Sequence, residues 1–178
     1  MPDPRLDPRA GLHVGSRTAF TFFANVLSGY EQTLRDLIAN AQGSPKADEA
    51  VKEIGTLHEF RWVLFDNDRR IMFCSSFDGS WDKYIQDFAS TVIGLMIDRN
   101  LQHVEGWVSI KDPRASERLL AHAVPAVGYN SAYPQPTVKQ VWQALALQQA
   151  FHQVLDTPGA AEALQQPALK PLADLAAY

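Results

Sequence analysis

The feature that most constrains the fold is a pair of strand-like segments separated by a short polar turn. In the first, His58 to Phe65, side chains alternate between two faces, which is the period of a β-strand. The second runs from Arg70 to Phe77, and the stretch Asp66-Asn67-Asp68-Arg69 between them is rich in turn-forming residues. The pattern predicts a β-hairpin, and with it an antiparallel sheet.

One strand and two helices are predicted before the hairpin. Residues 17–26 place apolar side chains on every second position, so they predict a strand. Apolar residues then recur at helical spacing from Tyr30 to Ala41. Ser44-Pro45 is typical of the start of a further short helix, because serine caps and proline suits the first turn.

The elements after the hairpin are mainly helical. Ser80 is a suitable N-cap for the longest amphipathic stripe of the chain, which predicts one helix from Trp81 to about Arg99. A short helix is expected after Asp112-Pro113, and a last clear helix after Thr137. Between them, residues 124–133 predict an edge or bulged strand, since proline and glycine within it disfavour a central position.

This order of elements predicts an α+β fold of the ferredoxin-like βαββαβ type, an antiparallel sheet with helices on one face and extra C-terminal helices. We expect a flexible N-terminal arm over 1–15, a single domain over 16–157 and a C-terminal tail over 158–178. The sheet face opposite the helices needs cover, and we assign to it several large apolar side chains. They are Phe20, Phe22, Trp62 and Phe73. A homodimer is the expected solution, with the C-terminal segment as the alternative.

Composition excludes several classes of protein. The chain has 178 residues, of which 46% are hydrophobic, enough for a sizeable core. Its net charge of −4 argues against a nucleic-acid partner, and it contains no apolar run of the roughly 18–20 residues that span a membrane. Met1 to Arg5 lack the apolar core of a secretory leader, and Cys74 is a single cysteine. We therefore expect a cytoplasmic protein without an internal disulfide.

The hairpin segment also carries a resemblance. Gly55 to Phe65, GTLHEFRWVLF, and Arg70 to Trp81, RIMFCSSFDGSW, resemble the central hairpin of bacterial proteins in the dimeric α+β-barrel superfamily. The resemblance covers roughly residues 16–100 and is most specific from His58 to Trp81. Members include haem-dependent peroxidases and related haem proteins, small cofactor-free monooxygenases, and proteins without known chemistry. The resemblance therefore implies a fold more strongly than an activity.

Three residues are candidates for catalysis. His58 begins a strand, on the face predicted for Phe60 and Trp62, where an imidazole can ligate haem iron or act as a base. The alternative is a core histidine satisfied by a backbone carbonyl. Asp78 is placed to cap backbone N–H groups at a helix start, or to act as a base at a pocket rim. Tyr84 offers a hydroxyl to a ligand, or belongs to the core.

Aromatic residues are the candidates for substrate binding, and we expect them to shape a pocket between sheet and helices: Trp62, Phe73 and Trp81. Arg61 falls on the face opposite to His58, where it forms an ion pair with a helix acid or binds an anion. The remaining histidines lack the spacing that presents two metal ligands on one helix face. No metal site is therefore predicted.

Two functions fit these residues. The first hypothesis is a small oxidoreductase of the superfamily type, haem-dependent or a cofactor-free monooxygenase, acting on a hydrophobic or aromatic molecule. The second is a non-catalytic module that binds a hydrophobic small molecule or serves in assembly. The surroundings of His58 discriminate between them. A cavity with a second polar group beside the imidazole favours the enzyme, and a backbone hydrogen bond in the core favours the module.

Overall fold

The strands form one four-stranded antiparallel sheet. The structure, a computed structural model, describes residues 10–172. The strands are β1 (His13–Val14), β2 (Arg17–Asn25), β3 (Leu57–Phe65) and β4 (Arg70–Asp78), in the order β1-β2-β4-β3 across the sheet. The predicted hairpin is confirmed as β3 and β4, and the strand predicted over 17–26 is confirmed as β2.

Seven α-helices and a short 3-10 helix, Pro167–Leu169, accompany the sheet in the described residues. The helices are α1 (Glu31–Ala41), α2 (Pro45–Ile54), α3 (Trp81–Ser90), α4 (Val92–Leu101), α5 (Ala115–Ala121), α6 (Val138–Leu155) and α7 (Ala160–Leu164). The predicted α+β class is therefore confirmed. The chain divides into two compact units between Lys139 and Gln140, and the whole sheet belongs to the first.

One face of the sheet is covered by this chain's own helices. The side chains of Phe20 and Phe22 are 2% and 3% exposed, and the ring of Phe20 lies 4.5 Å from that of Trp81 on α3. Trp62 and Phe73 pack into the same core. The expectation that these aromatic residues lie on the face away from the helices is therefore wrong, and they give no reason for a second copy.

The outer edge of β2 is paired by three short segments instead of one strand. β1 pairs with the start of β2, Ala123 forms a bridge with Phe22, and Val104 forms a bridge with Val26. The edge strand predicted over 124–133 is wrong. Pro125 has no N–H to donate to a ladder, and the hydroxyl of Tyr129 bonds instead to Ser76 Oγ at 2.7 Å.

The long helix predicted from Trp81 to Arg99 is broken in two. Thr91 has an extended backbone, with φ −113° and ψ 167°, and its hydroxyl donates to the carbonyl oxygen of Asp87 at 2.8 Å. Gly94 permits the close approach of α4 to the end of α3, because a Cβ there would lie 2.2 Å from the carbonyl oxygen of Phe88. The break directs α4 across the helix-covered face, where it meets α1 and α2.

The ends of the chain are described in part. Residues 1–9 of the predicted arm and 173–178 of the predicted tail lie outside the described residues. His13 and Val14, which we assigned to the arm, form β1, while the tail contains α7 and the 3-10 helix. Among the described helices, none combines the length and the apolar character needed to cross a membrane.

Candidate functional site

A cavity of about 360 Å³ lies between the helix-covered face of the sheet and helices α1, α2 and α4. Its volume falls at the lower end of the roughly 300–1,000 Å³ that is usual for small-molecule sites. Most of its wall is apolar, and its larger side chains are Phe60, Trp62, Phe73, Phe88, Met96 and Ile97. The cavity is therefore the candidate functional site.

The aromatic wall arises from strand alternation at the sheet edge. Phe60 and Trp62 lie on β3, an edge strand, and pair in register with Ser75 and Phe73 of β4. Because every second side chain of a strand points to the same face, their rings lie side by side. The ring centroids of Trp62 and Phe73 are 4.4 Å apart, and those of Phe60 and Phe73 are 5.9 Å apart.

The opposite wall is a stripe on α4. Ile93, Met96, Ile97 and Asn100 all line the cavity, at the three- and four-residue spacing that keeps side chains on one helix face. Asn100 is 7% exposed, and its carboxamide forms no hydrogen bond with any residue in the range 10–172. The mouth carries exposed charged residues of both signs: Asp48, Glu59 and Arg61.

Two of the three residues predicted to bind substrate belong to this site. Trp62 and Phe73 line the cavity. Trp81 does not, because it is fully buried at 0% exposure, and its indole N–H donates to Ser116 Oγ at 2.7 Å. Trp81 is therefore a core residue that holds α3 against the sheet.

His58 lies on the other side of the sheet. The pairing of β3 with β4 shifts between Leu57 and Glu59, so a β-bulge at His58 inserts one extra residue and changes the face to which the following residues point. The imidazole Nε2 lies 2.8 Å from Asp78 Oδ1, and the two side chains are 8% and 9% exposed. The prediction that His58 shares a face with Phe60 and Trp62 is wrong.

Asp78 forms hydrogen bonds with other groups besides His58. Its Oδ2 accepts the backbone N–H of Val138, the first residue of α6, at 2.7 Å, and its Oδ1 also accepts from Ser16 Oγ at 3.3 Å. Asp78 therefore caps the start of α6, whereas Ser80 caps α3 by accepting the N–H of Lys83. The lone pairs of the Asp78 carboxylate therefore accept hydrogen bonds that stabilise the fold.

Tyr84 lies in the core on the helix side of the sheet. It is 1% exposed, its ring stacks on Phe77 with 3.8 Å between centroids, and its hydroxyl donates to Ser75 Oγ at 2.7 Å. Burial raises the pKa of the Tyr84 hydroxyl far above its usual value, and the hydrogen bond to Ser75 offsets only part of that rise. The sheet separates Tyr84 from His58 and Asp78, so the three predicted catalytic residues do not form one cluster.

The residues present do not fit haem ligation through His58. Asp78 holds the Nε2 of His58, and His58 is not among the residues that line the cavity. Across the described part of the chain, no cluster of three histidine, cysteine or acidic residues is suited to hold a metal ion.

Asn100 was not among the predicted site residues, because the helix was expected to end at about Arg99. Asn100 lies four residues after Met96 and seven after Ile93, so an amide at this position of the stripe was the signal that could have found it.

Comparisons with protein-family models, curated proteins and solved structures find no match for this chain. The resemblance of the His58–Trp81 segment to the dimeric α+β-barrel superfamily therefore stays a prediction.

Proposed function

We propose that this protein binds a small, largely aromatic molecule in the cavity between β3 and α4. The observation that carries the proposal is the cavity itself, about 360 Å³ lined by aromatic and aliphatic side chains. Protein interiors are normally close-packed, and a cavity in an apolar region lacks dispersion contacts. A ligand that fills it restores these contacts and removes its own apolar surface from water.

The shape of the site favours a flat ligand. The rings of Trp62 and Phe73 form one wall and the aliphatic stripe on α4 forms the other. Aromatic rings favour offset or edge-to-face packing with other rings, so a ligand of one or two fused rings complements this slot. Charged residues stay at the mouth, where they remain in contact with water.

Catalysis is a separate hypothesis. The oxidoreductase implied by the superfamily resemblance stays a prediction, because it needs a reactive group within reach of the bound molecule. None of the three predicted catalytic residues, His58, Asp78 and Tyr84, lines the cavity. Binding is therefore the function that the geometry supports best.

Filling the cavity is expected to abolish binding. Ala47 on α2 is partly buried and lines the cavity, so Ala47→Phe places a ring where the ligand would lie. We expect the affinity for naphthalene to fall at least tenfold, roughly 1.4 kcal/mol of binding free energy. The measurement is an NMR titration with naphthalene that follows the methyl signals of Ile97 and Met96.

Ala39→Phe is the matched control, because Ala39 is exposed on α1 and does not line the cavity. This variant should bind naphthalene as the wild type does. Equal binding by Ala47→Phe and wild type, or no shift of the cavity methyl signals in the wild type, would contradict the proposal.

We also propose that the sheet is a ferredoxin-like sheet with a reduced fourth strand. In support, β2, β4 and β3 are adjacent and antiparallel, with two helices between β2 and β3, as in a split βαβ unit. The bridge between Phe22 and Ala123 lies on the edge where a fourth strand would pair with the first.

The face of the sheet away from α3 and α4 is the proposed homodimer surface. Val63 is 38% exposed there, with Phe23 and Met72 partly exposed on neighbouring strands. We expect Val63→Glu to raise the dimer dissociation constant at least tenfold, because a carboxylate would be buried against its own copy. Sedimentation equilibrium measures this change.

Val92→Glu is the control for the dimer experiment, since Val92 is 54% exposed on α4, on the other side of the sheet. It should leave the association unchanged. A wild-type chain that sediments as a monomer at all concentrations would rule out the dimer.

A further inference from the structure

Asn100 has an environment that the fold alone does not explain. It is 7% exposed and lies at the end of the α4 stripe that lines the cavity. Its backbone carbonyl accepts the N–H of His103 at 3.4 Å, whereas its side-chain amide has no hydrogen-bond partner within residues 10–172. The amide is not among the fully buried, unpaired side-chain atoms of the described residues, so it borders the open space of the cavity, where a ligand can supply its hydrogen-bond partner.

The chemistry of the carboxamide defines that partner. An asparagine side chain presents two N–H donors and one carbonyl acceptor. It therefore pairs equally well with a hydroxyl, which donates and accepts, or with a carbonyl, which accepts. The other lining residues of α4, Ile93, Met96 and Ile97, contact only apolar parts of a ligand.

We infer that Asn100 is a specificity-determining residue, and that the ligand class is a flat aromatic molecule bearing one hydroxyl or carbonyl group. The inference rests on the proposed binding function and deepens it. The aromatic wall holds the ring system, and Asn100 selects the polar substituent at the end of the α4 stripe. An amide that forms a hydrogen bond with the substituent inside the cavity favours a ligand that carries the substituent over the analogue that lacks it.

The charged residues at the mouth do not supply this selectivity. Asp48, Glu59 and Arg61 are exposed to water, where the free energy of a polar contact is small because water competes for the same groups. Asn100 is only 7% exposed, so a bound ligand excludes water from its amide more fully than from these three residues.

The test compares 2-naphthol with naphthalene, two probes that differ by one hydroxyl group. For the wild-type protein we expect 2-naphthol to bind roughly three- to tenfold more tightly, the contribution of one neutral hydrogen bond. Asn100→Leu preserves the approximate shape of the side chain and removes its polar atoms. In this variant we expect the preference to disappear while naphthalene binds at least as tightly as before.

Asn40→Leu is the matched control, because Asn40 is exposed on α1 and does not line the cavity. It should keep the wild-type preference for 2-naphthol. Urea unfolding of Asn100→Leu shows whether the variant folds, with a midpoint expected close to that of the wild type, because the amide forms no hydrogen bond within residues 10–172 and borders the cavity.

The outcomes separate the two proposals. If naphthalene binds in the cavity and 2-naphthol gains nothing, the role of Asn100 is overturned and the binding function stands. If neither probe binds, both fail. Should Asn100→Leu not fold, Asn100→Ala replaces it, and the comparison of the two probes on the wild type still decides.

Discussion

Replacing Asp78 with alanine is expected to lower the free energy of unfolding by about 3–5 kcal/mol, the usual loss when one partner of a buried pair is removed. The change leaves the imidazole of His58 buried without its carboxylate at 2.8 Å, and the N–H of Val138 without its acceptor at 2.7 Å. Urea unfolding followed by tryptophan fluorescence measures the change. Asp78→Asn is expected to lose less, because its carbonyl oxygen still accepts one hydrogen bond.

Asp112→Ala is the control variant, because it removes a carboxylate that is not part of a buried pair. Asp112 accepts from the side chain of Arg114 at 2.9 Å and from its backbone N–H at 2.8 Å, but the arginine side chain is 62% exposed. Exposed ion pairs contribute little to stability and the loss of a capping acceptor costs about 1 kcal/mol, so this variant should lose far less stability than Asp78→Ala. A similarly small loss for Asp78→Ala would show that the pair with His58 does not hold the fold.

Trp81→Ala is the second variant with a large expected effect, a loss of about 3–5 kcal/mol of unfolding free energy, as for other buried tryptophans. The indole is fully buried and packs 4.5 Å from the ring of Phe20, and its N–H is bonded to Ser116 Oγ. Truncation leaves a cavity between α3 and the sheet and an unpaired hydroxyl. Thermal and urea unfolding are the measurements.

Trp142→Ala is the matched control, because Trp142 is 41% exposed on α6. Its loss should change the unfolding free energy by about 1 kcal/mol or less. If Trp81→Ala kept wild-type stability and lost only ligand affinity, Trp81 would be a binding residue, as the sequence suggested, and the core assignment would be wrong.

Local signals predicted most of the elements of the first unit. The alternation of β2, β3 and β4 is visible within each strand, and the N-caps Ser44 and Ser80 both accept from the first turn of the helix that they precede. Each of these signals involves residues two to four positions apart, so both partners lie within one short segment of the sequence.

The candidate site was only partly predictable for the same reason. Trp62 and Phe73 were identified as pocket residues because their aromatic character and their place on a strand are local properties, although the sheet face first assigned to them was wrong. The grouping of His58 with them failed, since a bulge depends on how β3 pairs with β4 and leaves no periodic signal. Asn100 reaches the cavity only because the chain breaks at Thr91 and turns α4 across the sheet.

By itself, the sequence determined β2, the hairpin of β3 and β4, the starts of α2 and α3 and the α+β class, because these follow from side-chain period and from caps between near neighbours. Tertiary structure alone decided the two faces of the sheet, the break between α3 and α4 and the composition of the cavity. The contact of Asp78 with Val138 joins residues 60 positions apart. Such contacts arise from packing and pairing between elements, and no local pattern of side chains encodes them.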